Sequence, residues 1–486
     1  MFDILFKKPQ SLNSWGFFDK KFNYLGNDIN IIIRYKFNIM FKIYHFSNSF
    51  VSVEAKNSII TCDPWLGKTT DNAWFSYPII KSNEVENKIF NSNFVYISHL
   101  HCDHLDFKTL KKFKNKDLTF IIKKFNNGIL KKRLKKITNK KIIEIEPFKK
   151  KKINKDFTVA IIPQIISNSS DLPDNIEYDL DTSIVIQSNE NKTVFYNNVD
   201  MPININVLKK INTFIKKKFK KNIDIFCCGL GAASEFPHCF LNINRNIEKK
   251  RIIDESLRDI HKYLKYLKPK VFFPAGGKYA IYGKFYRLNK YIAQPNFLQI
   301  KAKTKSLKLK VCNIIGGGSI NFMKSDFFIK QKIGKESKDY KEKFLDKIKK
   351  IDYYYSKNTK NVDIKKLDQT FIDAKKNYLR ILGYKKKIKS KWSINFKIYK
   401  NYEINENCFI DRNKSNFLKT YELKNFNKIP KNTLKLECHI EYQLFKSLLI
   451  GRFPWNTSLS GSTIMYKRNP NKFNVDMLFS LNFLKI

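Results

Sequence analysis

Residues 94–106 read Phe94-Val95-Tyr96-Ile97-Ser98-His99-Leu100-His101-Cys102-Asp103-His104-Leu105-Asp106. The aromatic and β-branched run Phe94–Ser98 predicts a buried strand. Asp106 has the chemistry of a helix N-cap, and Phe107, Leu110 and Phe113 recur behind it at helical spacing. The histidines therefore fall in a strand-to-helix loop, where open α/β sheets present their ligands. The chain holds seven histidines in all, so three of them with a carboxylate in six residues need a reason. Imidazole and carboxylate suit Zn²⁺, Fe²⁺ or Mn²⁺. His99 and His101 are expected to share one ion, with Asp103 and His104 facing a second. Two ions roughly 3.5–4 Å apart would activate water and steady transition-state charge.

Upstream, Phe41–His45, Phe50–Glu54 and Ser58–Cys62 predict three strands, the last ending at Asp63-Pro64. Proline forces Asp63 into extended or turning backbone at that strand's exit. Downstream, Thr182–Ile186 and Thr193–Tyr196 read as a hairpin, with Asp200 just past its second strand. A basic amphipathic helix at 207–221, a strand at 223–228, a long helix near 246–267 and a strand at 270–273 continue the alternation. This pattern indicates a layered α/β domain over residues 39–325, behind an N-terminal extension at 1–38. Lys, Asp, Glu and Tyr dominate 326–365, read as a helical connector. Residues 366–486 are expected to form a smaller α+β unit, with strand-like runs near 392–400, 433–445 and 475–485.

The formal charge of +50 comes with 43% hydrophobic and 15% aromatic residues across 486 positions, a globular rather than disordered composition. The lysines recur along the whole chain and form no single block, which argues against a dedicated nucleic-acid surface. Eight scattered cysteines without a C-x-x-C pair fit reduced thiols and a cytoplasmic location. Met1–Gln10 lacks the apolar stretch of a signal peptide. No run of about 18 apolar residues marks a transmembrane helix, although attachment at a membrane surface stays open. Gly229–Ser234 lacks the dinucleotide-binding spacing and reads as a turn, so no organic cofactor site is expected.

His99-x-His101-x-Asp103-His104 after a strand resembles the signature of the metallo-β-lactamase superfamily. His45-x-x-x-Ser49 and Asp63-Pro64-Trp65-Leu66 look like its lactonase-like branch, which includes ascorbate-6-phosphate lactonase and N-acylphosphatidylethanolamine phospholipase D. A longer likeness, over roughly residues 40–486, is to the non-Rieske part of the CMP-N-acetylneuraminate hydroxylases. Cys62–Leu66, Tyr96–Leu105, Asp181–Ile184, Asn198-Val199-Asp200, Gly231–Pro237, Trp455-Asn456 and Arg468-Asn469-Pro470 follow in the same order. The resemblance implies an αββα sandwich, places Asp200 as the bridging aspartate, and gives metal ligands His99, His101, Asp103, His104 and Asp200. It puts His45 either at the site or in packing. Asp63 is expected to orient a ligand rather than bind metal.

The departures matter. No Cys-x-His followed by Cys-x-x-His exists to hold a Rieske cluster, so electrons would have to come from a separate Rieske or ferredoxin partner. The superfamily's histidine between His104 and the later aspartate is missing, as is the one near Phe273-Pro274-Ala275. A single ion, a carboxylate-rich Mn²⁺ or Fe²⁺ site, a degenerate site, or rescue by His238 as ligand or acid–base group would each accommodate the loss.

The first functional expectation is a metal-dependent hydrolase with one or two divalent ions, zinc first and manganese or iron as alternatives. Its substrate would be an anionic ester, lactone or amide, with nucleotide sugars and lipids as candidates, and Asp103 would bind metal or take a proton from water. The alternative is a sugar-nucleotide-binding or hydroxylase-like component of surface-glycan synthesis, served by a separate Rieske partner. An interaction protein for nucleic acid or membrane, resting on charge alone, ranks last.

Overall fold

The computed structural model describes residues 40–486 except 70, 127, 166–180, 233, 324–325, 333–337, 357–361, 384–389 and 428–431. The expected extension at 1–38 lies outside the described residues.

Two mixed sheets lie face to face. In sheet order the first comprises Phe327–Lys330, Gly318–Phe322, Phe41–Ser47, Phe50–Ala55, Ser58–Cys62, Phe94–Tyr96, Thr119–Lys123 and Lys141–Ile145. The second comprises Lys310–Val311, Val271–Pro274, Ile225–Cys228, Val194–Asn197, Thr182–Ser188, Phe157–Pro163 and Lys151–Lys152. Strand alternation assigns each side chain to a layer. Phe41, Ile43, Val51 and Val53 point inward and meet Ile161, Ile184, Ile186 and Phe273 of the facing sheet. Tyr44, Phe46 and Phe50 point outward and pack with Ile89, Leu110, Leu130 and Leu134 from three short helices. On the far side, Leu208, Ile211 and Ile215 of the helix Ile205–Phe219 and Ile260 and Leu264 of the helix Arg245–Leu267 cover the second sheet. The chain is thus an α/β protein with αββα layers, the inner pair of sheets sharing one apolar core.

Parallel pairing positions the loops that matter. Ser58–Cys62, Phe94–Tyr96 and Thr119–Lys123 run parallel, so Asp63 and Ser98 leave the same sheet edge side by side. Val194–Asn197, Ile225–Cys228 and Val271–Pro274 are also parallel. Their C-terminal ends deliver Asp200, Gly229 and Gly276 to that edge. The helix after Asp106 is a single turn, Phe107–Leu110, with the Asp106 side chain accepting from Lys108 N.

The stretch 326–365, expected as a helical connector, begins instead with Phe327–Lys330 paired on the first sheet, its helix Lys338–Ile348 coming after, and a smaller α+β unit follows. Its sheet runs Phe417–Lys424, Trp392–Tyr399, Leu434–Glu441, Met465–Asn469. Ile394, Phe396, Leu436 and Ile440 on one face pack against Phe371, Tyr378, Phe445 and Leu448 of the helices Ile364–Gly383 and Tyr442–Leu449. Two strand-like readings differ from the structure. The run 433–445 turns helical at Tyr442, and 475–485 forms the helix Val475–Ser480 with a 3-10 turn at Leu481–Phe483. Met477, Leu481 and Leu484 are buried, an i, i+4, i+7 spacing that the local aromatic richness obscures. No helix among the described residues is long and apolar enough to cross a membrane.

Candidate metal centre

Six potential ligands converge in two adjacent groups, His99–His101–Asp181 and Asp103–His104–Asp200, with the donor atoms of each group within 4.8 Å of one another. His99 Nε2 lies 2.7 Å from His101 Nδ1 and 3.1 Å from Asp181 Oδ1. His104 Nε2 lies 3.0 Å from Asp200 Oδ2 and 3.4 Å from Asp103 Oδ2. The rings of His99 and His104 are 4.1 Å apart, so the groups share a wall.

The hydrogen bonds behind the histidines decide which nitrogens are free. Asp63 is fully buried, and its carboxylate accepts from Ser98 N at 2.8 Å and Ser98 Oγ at 2.7 Å. Ser98 Oγ has one proton and gives it to Asp63, so the 2.8 Å contact with His99 Nδ1 requires the imidazole to donate. Asp63 Oδ2 also lies 3.0 Å from His104 Nδ1, which donates likewise. Both rings then keep their protons on Nδ1 and aim Nε2 lone pairs at carboxylates and at His101. His101 Nε2 is itself buried without a partner among the described residues. Acceptors facing acceptors in a buried site are unfavourable unless a cation sits among them. The donor set therefore fits divalent metal, and three carboxylates among six ligands suit Zn²⁺, Mn²⁺ or Fe²⁺.

Electrostatics without a cation show the same tension. Burial holds the His99 imidazole well below the usual histidine range, with His104 and His101 adding to the effect. Burial also opposes a charged His104, but Asp103, Asp200 and Asp63 outweigh it and raise its proton affinity. Burial, with Asp200 and Asp103 nearby, pushes the Asp181 carboxyl up to about 7 against the pull of His101.

The turn between the first two strands buttresses the carboxylates. Asn48 Nδ2 donates to Asp103 Oδ2 at 3.0 Å, and Ser49 Oγ to Asp200 Oδ1 at 3.2 Å. His45 touches neither group of ligands. Its Nε2 contacts the Asn48 carbonyl at 2.8 Å, and its ring packs 5.7 Å from Phe273. Gly276, at φ +101°, brings its backbone so close that a Cβ there would lie 2.6 Å from Asp200 Oδ1. His238 is not brought to the ligands: its Nε2 pairs with Ser462 Oγ at 2.7 Å, in the interior beneath the C-terminal unit. Of the alternatives that would make up for the missing histidines, His238 is thus placed as a hydrogen-bonded loop residue, and a carboxylate, Asp181, stands with His99 and His101.

Asp181 is the candidate ligand to which sequence reasoning gave no role. Thr182 Oγ1 donates to the Ser98 carbonyl at 2.8 Å and contacts Tyr96 Oη at 2.6 Å, locking the start of its strand against the histidine loop. The signal was the Asp181–Ile184 run quoted for the family likeness, in which the carboxylate drew no role.

A cavity of about 200 Å³ opens onto the ligands. Trp74 and Tyr279 wall it, Ser234 and Glu235 add polar groups, and Asn456, Thr457 and Leu478 of the C-terminal unit roof it. Burial raises the Glu235 carboxyl above its ordinary range. No Lys or Arg is among the described residues that line this cavity.

No protein-family model matches the chain. Two curated relatives are described as Rieske 2Fe-2S iron–sulfur proteins. One, from Mycobacterium tuberculosis, is 27% identical over 159 residues, 32% of this chain and 29% of the relative. The other, from Mycolicibacterium smegmatis, is 28% identical over 86 residues, 18% and 16% respectively. The matched stretches thus span less than a third of those relatives. Among solved structures, Igni18, a metallo hydrolase from Ignicoccus hospitalis, aligns at TM-score 0.39 and 17% identity, covering 58% of this chain and 98% of that one. The diiron β-hydroxylase CmlA from Streptomyces venezuelae aligns at 0.39 and 12%, covering 59% and 54%. The metallo-β-lactamase fold protein YhfI from Bacillus subtilis aligns at 0.36 and 11%, covering 59% and 100%.

Proposed function

We propose that this chain is a metal-dependent hydrolase whose centre holds two divalent ions, zinc first and manganese or iron as alternatives. One ion would be held by His99, His101 and Asp181, the other by Asp103, His104 and Asp200. The observation that carries the reading is the pairing of two three-donor groups at one cavity. When bound, divalent ions supply Lewis-acid polarisation and neutralise developing negative charge.

The chain's own residues do the rest. Asp63 and Ser98 fix both imidazole tautomers, and Asn48 and Ser49 hold the Asp103 and Asp200 carboxylates in place. Trp74, Tyr279 and Leu478 keep bulk water from the reacting bond. Glu235, protonated more readily than an ordinary carboxyl because it is buried, is placed to give a proton to the leaving group. The cavity, about 200 Å³, is below the roughly 300 Å³ at which pockets enclose drug-sized ligands. Only the ester, lactone or amide enters, and the bulk of a nucleotide sugar or lipid stays outside. An anionic reacting group meets the metal ions rather than lysines.

A second reading, an oxygenase component served by a separate Rieske protein, draws on the three-carboxylate donor set and on the relatives named for Rieske centres. Elemental analysis of the purified chain beside His99→Ala and Asp200→Ala is the deciding experiment, followed by chromogenic ester hydrolysis. One or two equivalents of metal, reduced in each variant, with metal-dependent hydrolysis support the hydrolase. Bound iron without hydrolysis, and oxygen uptake when a reduced ferredoxin is supplied, would move the assignment to the oxygenase. No metal bound or taken up overturns both.

A further inference from the structure

The C-terminal sheet covers one face with helices and leaves part of the other open. Over that face lies a cavity of about 760 Å³, within the roughly 300–1,000 Å³ range of small-molecule sites. It shares no lining residue with the metal cavity.

Its walls combine two chemistries. Phe409 and Phe417 stand 45% and 54% exposed, although each lines the cavity. Tyr399 lines it as well, its ring 5.6 Å from Phe417 and 5.8 Å from His439. Arg245 already stands 4.9 Å over the Phe409 ring; exposed aromatic surface of this kind contributes little to folding and offers faces for stacking. Lys397, Arg412 and Lys467 line the same cavity. Lys397 Nζ and Lys467 Nζ share one carboxylate, Glu437, at 2.9 and 3.1 Å. Arg412 forms no ion pair among the described residues. Three cations thus stand against one carboxylate, an excess of two positive charges.

The floor is built rather than accidental. Glu437 Oε1 contacts His439 Nε2 at 2.8 Å, and His439 Nδ1 contacts Tyr399 Oη at 2.9 Å. This chain fixes the Tyr399 ring and engages the carboxylate that the two lysines share. A planar ring against Phe417 or Phe409 and a phosphate on Arg412 and the lysines would satisfy both sets of groups at once.

We propose that this cavity binds a nucleotide unit, an aromatic base stacked on Phe417 or Phe409 with its phosphate held by Arg412, Lys397 and Lys467. The site goes beyond the metal-centre reading and does not depend on it. The volume, sized for one unit, favours a free nucleotide over a strand.

The test is isothermal titration of the full chain, with and without chelator, using AMP, CMP, inorganic phosphate and an eight-residue oligouridine. Arg412 and Phe417 are exposed, so Arg412→Gln and Phe417→Ala leave the fold intact, as thermal melts will verify. A mononucleotide that binds at least tenfold tighter than phosphate supports the proposal, provided the binding survives chelation and falls tenfold or more in each variant. Oligouridine binding tenfold tighter than either mononucleotide overturns the free-nucleotide assignment and makes the face a strand-binding surface. Equal affinity for phosphate and nucleotide, no binding at millimolar concentration, or binding untouched by both substitutions overturns the site. Binding lost on chelation assigns the nucleotide to the metal centre instead.

Discussion

Asp63 Oδ2 lies 3.0 Å from His104 Nδ1, so a carboxylate that belongs to neither ligand group dictates which nitrogen of His104 faces Asp103 and Asp200. Through Ser98 it does the same for His99. Asp63→Asn keeps the volume and removes the charge that holds both Nδ1 protons. Metal affinity is expected to fall roughly 10- to 100-fold, the usual cost of losing an orienting partner. Competition with a chromophoric chelator reads this directly. An unchanged affinity would mean the tautomers are set by something else.

Gly276 gives a test of the close approach to Asp200. Alanine there would place Cβ 2.6 Å from Asp200 Oδ1 at φ +101°. Backbone strain of about 1–3 kcal/mol and displacement of the carboxylate should lower both urea stability and metal content. Gly128→Ala, also at positive φ but with nothing within 4 Å, is the control: it should lose some stability and keep its metal.

Asp181 and Asp200 belong to different ligand groups. Asp181→Ala is expected to reduce bound metal by one equivalent and leave Asp103, His104 and Asp200 able to hold the other. Elemental analysis beside Asp200→Ala checks this, and the two variants should retain different metal sites. Loss of all metal in Asp181→Ala would show instead that the groups fill only together.

His238 allows a pH prediction away from the ligands. Burial lowers its pKa from 6.5 to about 3, with Arg245 adding to the effect. Between those values the unfolded chain binds the proton and the folded chain does not. Stability from this group is therefore present above pH 6.5 and is lost as pH falls toward 3. His238→Asn removes that dependence. Relative to the variant, the native chain should lose about 2 kcal/mol between pH 7 and pH 5, at about 1.4 kcal/mol per pKa unit. Paired urea melts at the two pH values measure it, and a constant difference between the chains would refute the assignment.

The parts of this protein that are local in sequence were legible, and the parts assembled by tertiary packing were not. His99, His101, Asp103 and His104 stand within six residues behind a strand whose β-branched and aromatic composition is unmistakable. The inward–outward alternation of Phe41–Ser47 and Phe50–Ala55 announces a strand covered on both faces. Asp181 carries no such pattern. It reaches His99 because Thr182 bonds the Ser98 carbonyl, a contact spanning 84 positions. His238 follows the Gly231–Pro237 stretch quoted for the family likeness, yet chain order says nothing of Ser462, its actual partner. The cavity roof was equally hidden, since Thr457 meets Cys102 across 355 positions.

That roof has a consequence for biosynthesis. All six candidate ligands lie between residues 99 and 200, whereas Asn456, Thr457 and Leu478 leave the ribosome well after them. A nascent chain that has completed both sheets, through Phe327–Lys330, already holds every candidate ligand but lacks the residues that roof them. The order of synthesis thus gives ions an interval of open access before Asn456, Thr457 and Leu478 fold over them. Metal capture can be co-translational, and later exchange must pass through the cavity that Asn456, Thr457 and Leu478 line.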